Sequence, residues 1–346
     1  SFTPTDDVSS EGDETATVSI TGVSGGSASE NGTQAVTITI TDDETTPTVT
    51  LSSSASSIAE NSGSSITLTA TLSVATSENV TVNLETTVGS ALSGTDFSAV
   101  SDITILAGNT TGTSTFTPLN DNIYETNETT TIEIATVSGG SALENGSQSV
   151  TLTITNDESA PTVALSSSAS SIAENSSSSI TLTATLSGAT YQDVTVSIST
   201  SGTGTEGTDY AAISDITISA GNTTGTATLT PTDDSVYEGN ETGIAAISAV
   251  SGGGATENGT QTQTITITDN ESAPTVTLST SGTTTAENSG GSLTLTATLS
   301  TATTANVTVS LGTSGTATEG TDYGVISDIT ITAGNTTGTT SFTPTD

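Results

Sequence analysis

The residues of this chain that can do chemistry are almost all carboxylates, and they recur in fixed groups. The fullest group has the pattern Asp-Asp-x-x-x-Glu-x-x-Glu and occurs three times, once with Asn in first place, over residues 6–14, 120–128 and 233–241. An acidic triplet closes each copy and begins at Asp42, Asn156 and Asp269. Clustered carboxylates suit a hard divalent cation such as Ca²⁺, which takes 6–8 oxygen ligands. The pattern therefore predicts cation sites.

No positively charged side chain is available to neutralise these acids. The chain has 346 residues with no Lys, Arg or His, and its 38 Asp and Glu residues give a formal net charge of −38. Binding to nucleic acid or to an anionic membrane surface needs Lys or Arg, so neither partner is expected. The neutralising charge has to come from outside the chain, and a dication fits best.

The composition also lacks most catalytic machinery. Without His, Lys, Arg or Cys, the usual general bases, nucleophiles and oxyanion clamps are missing, so we do not expect an enzyme. The absence of Cys means that disulfides do not stabilise the chain. No apolar run approaches the ~20 residues that span a bilayer, so membrane insertion of this segment is not expected.

The acidic groups belong to an internal repeat of domain size. Ala-Glu-Asn triplets contain Glu60, Glu174 and Glu287, so successive copies are 114 and 113 residues apart. Gly-Thr-Asp-aromatic turns recur in the same way. The predicted organisation is residues 1–44 as the last two strands of a repeat, 45–158 and 159–271 as complete repeats, and 272–346 as the first five strands of a repeat.

Within a repeat, Thr and Ser alternate with Ile, Val and Leu, which is the pattern of half-buried strands. In the first complete repeat the predicted strands are Val49–Leu51, Ile66–Leu72, Val80–Leu84, Ile103–Ile105, Thr113–Thr117, Thr131–Val137 and Val150–Ile154. Seven short strands with turn signals between them predict an all-β fold of antiparallel, immunoglobulin-like sandwiches. Because the connections between repeats are short, the sandwiches are predicted to follow one another end to end as a rod.

The acids and turns, in this order and spacing, resemble the Calx-beta domain of sodium–calcium exchangers, integrin tails and large bacterial surface proteins. The matching features are Glu60, the turn that contains Asp96, the Asp-Asp-x-x-x-Glu-x-x-Glu stretch and the closing triplet. The resemblance covers the whole chain. It implies seven-stranded sandwiches in which these acids gather at one end and bind Ca²⁺.

The same resemblance implies a set of calcium ligands. In the first complete repeat they are Glu60, Asp96, Asp121, Glu125, Glu128, Asp157 and Glu158. In the second they are Glu174, Asp209, Asp233, Asp234, Glu238, Glu241, Asp269 and Glu271. The partial repeats offer Asp6, Asp7, Glu11, Glu14, Asp42, Asp43, Glu44, Glu287, Asp322 and Asp346. An amide replaces an expected acid at Asn120, Asn156 and Asn270, so we expect fewer ions or weaker binding there.

Three functions remain open on the sequence. The first is a calcium-stabilised stalk or fibre segment of a repetitive adhesin outside a microbial cell, contacting its neighbouring repeats while other parts of the full protein bind a receptor or surface. The second is a filament subunit whose partial repeats complement each other between identical chains, since Ser1–Asp6 and Ser341–Asp346 are both SFTPTD. A window cut from a longer tandem array also explains that identity, and it is the explanation that we favour. The third is a glycan- or partner-binding module, which predicts one repeat that departs from the others at exposed loops.

Overall fold

Strands form almost all of the regular structure in the computed structural model, which describes residues 1–7 and 10–346. Across these residues there is no α-helix, and the helical elements are two short 3₁₀ turns, Glu60–Ser62 and Glu287–Ser289. The predicted all-β fold class is confirmed. Nothing helical in this described part of the chain has the length and apolar character to cross a membrane. The chain divides into two compact units, Ser1–Ser159 and Ala160–Asp346.

The first unit contains an N-terminal partial repeat and one complete sandwich. Its strands are β1 Glu14–Ser19, β2 Ala35–Ile40, β3 Thr48–Ser53, β4 Ser57–Ala59, β5 Ile66–Leu72, β6 Val80–Gly89, β7 Ile103–Ile105, β8 Thr111–Phe116, β9 Ile123–Tyr124, β10 Glu128–Ser138, β11 Leu143–Glu144 and β12 Ser149–Thr155. Strands β1 and β2 pair antiparallel. The sandwich consists of a five-stranded sheet in the order β4-β12-β10-β6-β7 and a four-stranded sheet in the order β11-β3-β5-β8.

The second unit contains one complete sandwich and a C-terminal partial repeat. Its strands are β13 Thr162–Ser167, β14 Ser171–Ala173, β15 Ile180–Leu186, β16 Ala189–Thr190, β17 Val194–Gly202, β18 Ile216–Ile218, β19 Thr224–Leu229, β20 Val236–Tyr237, β21 Glu241–Ser251, β22 Thr256–Glu257, β23 Thr262–Thr268, β24 Val276–Thr280, β25 Leu293–Leu299, β26 Ala302–Thr303, β27 Val307–Val309, β28 Ile329–Ile331 and β29 Thr337–Phe342. The complete sandwich has the sheets β14-β23-β21-β17-β18 and β19-β15-β13-β22. The partial repeat forms the sheets β24-β25-β29 and β27-β28.

The seven main strands of each complete repeat form where the alternation predicts them. In β5, for example, the four apolar residues are buried and the three Thr residues between them are only partly covered. The short strands β4 and β11 were not predicted, and they pair parallel with β12 and β3. Segments of two or three residues are too short to show an alternation. The sheets therefore contain parallel pairs at their edges, whereas the sequence predicts antiparallel pairing throughout.

Each complete repeat has its own apolar core between its two sheets. In the first, the rings of Phe97 and Phe116 pack with their centroids 4.8 Å apart. In the second, Tyr210 and Leu229 occupy the corresponding positions and are fully buried. Full burial of one such side chain contributes about 1.5–3 kcal/mol. The buried acids Glu60 and Glu174 lie outside these apolar clusters.

Short strands join neighbouring repeats inside each unit. In the second unit, β20 of the complete repeat pairs parallel with β26 of the partial repeat, so that Tyr237 lies opposite Thr303. In the first unit, Ser10 forms the corresponding bridge with Thr76. The residue after Tyr237 is Glu238, an acid of the repeated motif. The contact between repeats thus lies directly beside the acidic segment.

Candidate metal centre

The sheet order brings the acids of a complete repeat to one end of its sandwich. In the first repeat, β4 and β12 run parallel, so Glu60 and the Asp157–Glu158 pair follow strands that end at the same edge. Strand β10 runs antiparallel to β12 and begins at that edge with Glu128. Residues far apart in the chain therefore converge because of strand direction.

Two triads of carboxylates result in this repeat. In the Glu60 triad, one oxygen each from Glu60, Asp157 and Glu158 lie within 4.8 Å of one another. The Glu125 triad brings Asp96, Glu125 and Glu128 together within the same distance. Such spacing of anionic oxygens fits a shared hard cation, which Ca²⁺ ligands approach to 2.3–2.6 Å.

A tight turn places Asp96 in its triad. Gly94 has φ 89°, in the region that glycine adopts without a steric penalty, and its N–H donates to the carbonyl of Phe97 at 2.7 Å. The Asp96 carboxylate accepts a hydrogen bond from the N–H of Leu92 at 2.6 Å. The buried ring of Phe97 anchors the turn in the core. The Gly-Thr-Asp-aromatic motif therefore couples a metal-ligand candidate to the packing of the sandwich.

Backbone donors hold the Glu60 triad in the absence of any positive side chain. Glu60 is only 6% exposed, and its carboxylate accepts a hydrogen bond from the N–H of Asp121 at 2.8 Å. Asp157 accepts from the side-chain amide of Asn61 at 2.6 Å. Among the described residues, the buried Oε2 atom of Glu158 has no hydrogen-bond partner. A buried anionic oxygen without a partner is costly, so this atom is available to a cation.

The proximity of like charges perturbs the acids of the Glu125 triad. Burial, followed by the charge of Asp96, raises the pKa of Glu125 from 4.5 to about 7. Burial and a hydrogen bond with Asp96 raise the pKa of Glu128 from 4.5 to about 7. Burial also raises the pKa of Glu60. Proteins neutralise such acids with a proton or with a bound cation.

The second complete repeat builds the same arrangement. The Glu174 triad consists of Glu174, Asp269 and Glu271, and the Glu238 triad consists of Asp209, Glu238 and Glu241. Burial is the first cause that raises the pKa of Glu241 from 4.5 to about 7. The Oε2 atom of Glu271 is buried without a hydrogen-bond partner in the described part of the chain, as Glu158 is in the first repeat.

Asp269 differs from the other members of the Glu174 triad because backbone N–H groups stabilise its ionised form. It accepts hydrogen bonds from the N–H groups of Glu238 at 3.1 Å, Gly239 at 2.7 Å and Glu271 at 3.1 Å. Burial works in the opposite direction, but the hydrogen bonds prevail and lower its pKa. This carboxylate stays ionised and ready to bind a cation.

The N-terminal partial repeat forms one triad, from Asp6, Asp43 and Glu44. Asp42 and Glu44 share a hydrogen bond that lowers the pKa of Asp42 and raises that of Glu44. The charge of Asp7 is the first cause that raises the pKa of Glu11. A common acidic depression is lined by residues 5–7, by Glu11, Gly12 and Glu14, and by the segment 40–44.

The remaining predicted ligands lie outside the triads. Asp121 and Asp234 turn back to accept hydrogen bonds from the N–H groups two residues later, at 2.6 and 2.7 Å. Asp233 is exposed and adds negative charge near Glu174. In the C-terminal partial repeat, Glu287, Asp322 and Asp346 are exposed and belong to none of the triads that the described residues form. The assignment of all these residues as calcium ligands stays a prediction.

The order of these features along the chain matches one family throughout. The family model of the Calx-beta domain matches residues 42–158, 156–271 and 269–339, which is most of the chain. The chain belongs to the Calx-beta domain family. The resemblance inferred from the acidic motifs is confirmed.

Several solved structures are similar to this Calx-beta chain. One is CBD12 from CALX1.2, with 19% identity over 56% of this chain and 77% of that chain and a TM-score of 0.27. Another is invasin, a bacterial integrin-binding protein, with 14% identity over 86% of this chain and 55% of that chain and a TM-score of 0.29. A third is the adhesin InvE of Yersinia pseudotuberculosis, with 12% identity over 64% of this chain and 58% of that chain and a TM-score of 0.27. The chain spans about half the length of invasin, and a comparison with curated protein sequences gives no match.

The donor set of these Calx-beta repeats suits calcium. Every potential ligand is a carboxylate, an amide carbonyl or a backbone carbonyl, and hard cations prefer oxygen. The partnerless oxygens of Glu158 and Glu271 provide an observation within the structure that agrees with this chemistry. Two residues outside the predicted ligand set support the site in the first repeat: Asn61 holds Asp157, and the side-chain oxygen of Asn156 accepts from the N–H of Glu125 at 3.2 Å.

Proposed function

We propose that this chain is a calcium-stabilised segment of an extracellular stalk or fibre, built from Calx-beta repeats of a microbial surface protein. One observation carries the proposal. Each complete repeat gathers six carboxylates into two triads, and each has a buried carboxylate oxygen without a partner in the described residues. The chain has no cation of its own to place there.

In this proposal, the Glu60 and Glu125 triads each hold one Ca²⁺ in the first complete repeat. The Glu174 and Glu238 triads do so in the second. A dication at these positions would offset the burial and the repulsion that together raise the pKa values of Glu125, Glu128 and Glu241. It also ties together loops that follow β4 and β12, the Asp96 turn and the start of β10.

Calcium would also reinforce the contact between neighbouring repeats within a unit. Glu238 directly follows β20, whose Tyr237 pairs with Thr303 of the next repeat. Fixing Glu238 in a metal centre restricts the adjacent strand. A segment with many such contacts transmits force and keeps its shape, as a stalk requires. The proposed role is structural and involves no catalytic step.

The proposed extracellular location predicts the affinity of the sites. Extracellular modules typically bind Ca²⁺ with dissociation constants of roughly 10⁻⁴–10⁻³ M. Sites of that strength fill only where calcium is in the millimolar range, outside the cell. Adhesion to a receptor or surface would be done by other parts of the full protein.

The proposal is tested by titrating the metal-free chain with Ca²⁺ in a calorimeter. We expect at least four sites in the two complete repeats, and a gain of about 1.4 kcal/mol in folding free energy per site at ten times its dissociation constant. The double substitution Glu60→Gln and Glu174→Gln should abolish two sites. Glu287→Gln is the matched control, because Glu287 stands in the same Ala-Glu-Asn motif but in no triad.

Two results would contradict this function. The first is that calcium at millimolar concentration gives no binding heat and does not raise the melting temperature. Alternatively, small-angle scattering could give the same dimensions in calcium and in chelator, which would leave bound ions with no mechanical role. The first result removes the metal sites, and the second removes the stalk function while the sites stand.

A second candidate function is head-to-tail assembly of identical chains, and the partial repeats favour it. Val18 in β1 is 57% exposed, whereas Ile132 at the corresponding position of β10 is fully buried. Leu278 in β24 is 54% exposed, whereas its counterpart Leu51 is 7% exposed. Each partial repeat thus lacks the strands that the other contains. A flanking segment of a longer chain or a second copy would cover both faces.

Light scattering on the 346-residue polypeptide tests the second candidate. Assembly predicts a mass that rises with protein concentration, and micrographs with an axial period of three repeats. The substitution Val18→Asp should return the chain to a monomer, while Val88→Asp, on an exposed strand end of a complete repeat, should not. A monomer at all concentrations would dismiss assembly.

A further inference from the structure

One complete repeat differs from the others in its exposed surface. Three aliphatic side chains of the first repeat are exposed to solvent: Val88 by 78%, Leu92 by 62% and Leu119 by 37%. We call these three residues the apolar rim. The corresponding positions of the other repeats carry hydroxyl residues: Ser201, Thr205 and Thr232 in the second repeat, and Ser314, Thr318 and Thr345 in the C-terminal partial repeat.

A β-bulge accounts for the direction of Val88. In the pairing of β6 with β10, Gly89 lies opposite Thr130 and Thr86 lies opposite Ile132, so two residues of β6 face one of β10. The same stretch of the second repeat pairs without a shift, with Ser201 opposite Ile244. A bulge of one inserted residue bends a strand and re-aims a side chain. The insertion and the aliphatic substitutions therefore occur together in one repeat.

The apolar rim lies at the end of the sandwich that carries the Glu125 triad. The N–H of Leu92 donates to the carboxylate of Asp96 at 2.6 Å, and the N–H of Leu119 donates to the carbonyl of Asp96 at 2.9 Å. The segment that follows Val88 is held beside β10, because the N–H of Ala91 donates to the carbonyl of Thr129 at 3.0 Å. Leu92 and Leu119 thus lie beside Asp96, and the segment between Val88 and Leu92 lies beside the start of β10.

The fold does not require this rim. The second repeat forms the same sheets and triads with Ser and Thr at the three positions. Leu92 and Leu119 adjoin the same residue, Asp96, and contiguous exposed aliphatic side chains mark interaction sites. Leu106 and Leu143 are also exposed, but they lie at the other end of the sandwich. Leu106 follows Ile105, which pairs with Val80 at the start of β6, and the N–H of Leu143 donates to the carbonyl of Pro47, just before β3.

Charge decides what kind of partner fits. This end of the repeat carries seven acids, namely Glu60, Asp96, Asp121, Glu125, Glu128, Asp157 and Glu158. Two bound dications would neutralise four of those seven charges, and three would remain. The complementary positive charge cannot come from a second copy, because this chain has no Lys, Arg or His. Complementary charge steers association and excludes wrong partners.

We propose that the apolar rim and the acids beside it form a docking surface for a different protein, one that presents Lys or Arg side chains beside aliphatic ones. The aliphatic groups of the partner pack on Val88, Leu92 and Leu119, while its cationic groups face the residual negative charge. The second complete repeat lacks the rim and does not bind this partner. The inference concerns a surface beside the metal centre and does not depend on whether calcium occupies it.

The test uses the full chain and a synthetic peptide of alternating Leu and Lys, with binding followed by fluorescence anisotropy in about 1 mM CaCl₂. The triple substitution V88S, L92T and L119T gives the first repeat the residues of the second. It should weaken binding at least tenfold, which corresponds to about 1.4 kcal/mol. Adding S201V, T205L and T232L to that variant should restore binding. A peptide of alternating Gly and Lys should bind every variant equally weakly.

Three results would overturn the inference. Equal affinity of the wild type and the triple variant for the Leu–Lys peptide would show that charge alone attracts it. Equal affinity of the wild type for a Leu–Glu peptide and for the Leu–Lys peptide would show that the partner needs no cationic group. Rim-dependent binding to vesicles of phosphatidylcholine and phosphatidylserine, without peptide binding, would assign the surface to a membrane. Melting and calcium affinity of the triple variant should match the wild type, and L92T alone serves if the triple variant fails to fold.

Discussion

Replacing Glu125 by Gln should change the stability of the first repeat in opposite directions without and with calcium. The pKa of Glu125 is raised from 4.5 to about 7, first by burial and then by the charge of Asp96. A folded-state pKa above the unfolded value means that the ionised form destabilises the fold, so the cost is present at pH 7.5 and disappears at low pH. The full shift would correspond to about 3 kcal/mol. Solvent screening at this half-buried site reduces it to about 1–2 kcal/mol.

In chelator, Glu125→Gln should therefore stabilise the repeat by about 1–2 kcal/mol. For a repeat of this size that corresponds to roughly 5 °C in melting temperature. Calcium reverses which of the two proteins is more stable. The wild type gains a free energy of RT ln(1 + [Ca²⁺]/Kd) at a site that the variant has lost. The two stabilities should become equal where this gain reaches 1–2 kcal/mol, at roughly 5 to 30 times the dissociation constant. Above that concentration the wild type is the more stable protein.

Differential scanning calorimetry at pH 7.5 over a calcium series measures the crossing directly. Glu287→Gln removes the same charge from an exposed position outside the triads, so its curve should follow the wild type at every concentration. The reasoning is refuted if Glu125→Gln is less stable than the wild type in chelator. It is equally refuted if the difference between the two proteins is the same at all calcium concentrations.

Three further predictions address pH, backbone and ligand charge. In chelator, the raised pKa values of Glu125, Glu128 and Glu241 should make the chain more stable near pH 5 than at pH 7.5, and millimolar calcium should remove that difference in thermal melts. Gly94→Ala should lower the free energy of unfolding in urea by about 1–2 kcal/mol, because φ at Gly94 is 89°. It should also weaken calcium binding, since this turn positions Asp96. Gly188→Ala, at an open position without positive φ, is the control. Asn156→Asp should destabilise the first repeat in chelator and tighten its calcium binding severalfold in titration calorimetry. A variant that is as stable as the wild type in chelator, or that binds calcium no more tightly, would contradict the charge argument.

The strands could be predicted because their signal is local. The alternation over Ile66–Leu72 fixes both the strand and its buried face, and the observed β5 has the same bounds. The short strand Ser57–Ala59 has no such signal, since its position is set by pairing with Thr153–Thr155 nearly a hundred residues later. Local patterns therefore identify the main strands, while the edges of the sheets depend on contacts that no local pattern contains.

The candidate site could be predicted in part. Repetition of the acids points to the right ends of the strands, but it does not show which acids meet. Asp121 and Asp234 belong to the motif, yet their side chains bind their own backbone. The apolar rim was missed altogether. A signal for it exists, because comparing the repeats position by position shows the inserted residue near Val88 and the exchange of Leu for Thr at position 92.

The closing triplets show how the chain limits the charge of its metal centres. The first repeat has Asn156-Asp157 where the second has Asp269-Asn270, so the acid and the amide exchange places. Both arrangements still complete a triad, with Asp157 beside Glu60 and Asp269 beside Glu174. The amides remain engaged, since Asn156 accepts from the N–H of Glu125 and Asn270 donates to Glu271 at 2.9 Å.

A third acid in each triplet would add a fourth negative charge to a group whose members already repel one another. An amide keeps the hydrogen bonds of the loop and adds no charge, so the repeat tolerates the loss of its cation better. On this reasoning, the departures from an all-acid pattern do not mark degraded sites. In the two complete repeats they leave three converging carboxylates at the triplet, which would still attract a dication and would repel one another less in its absence.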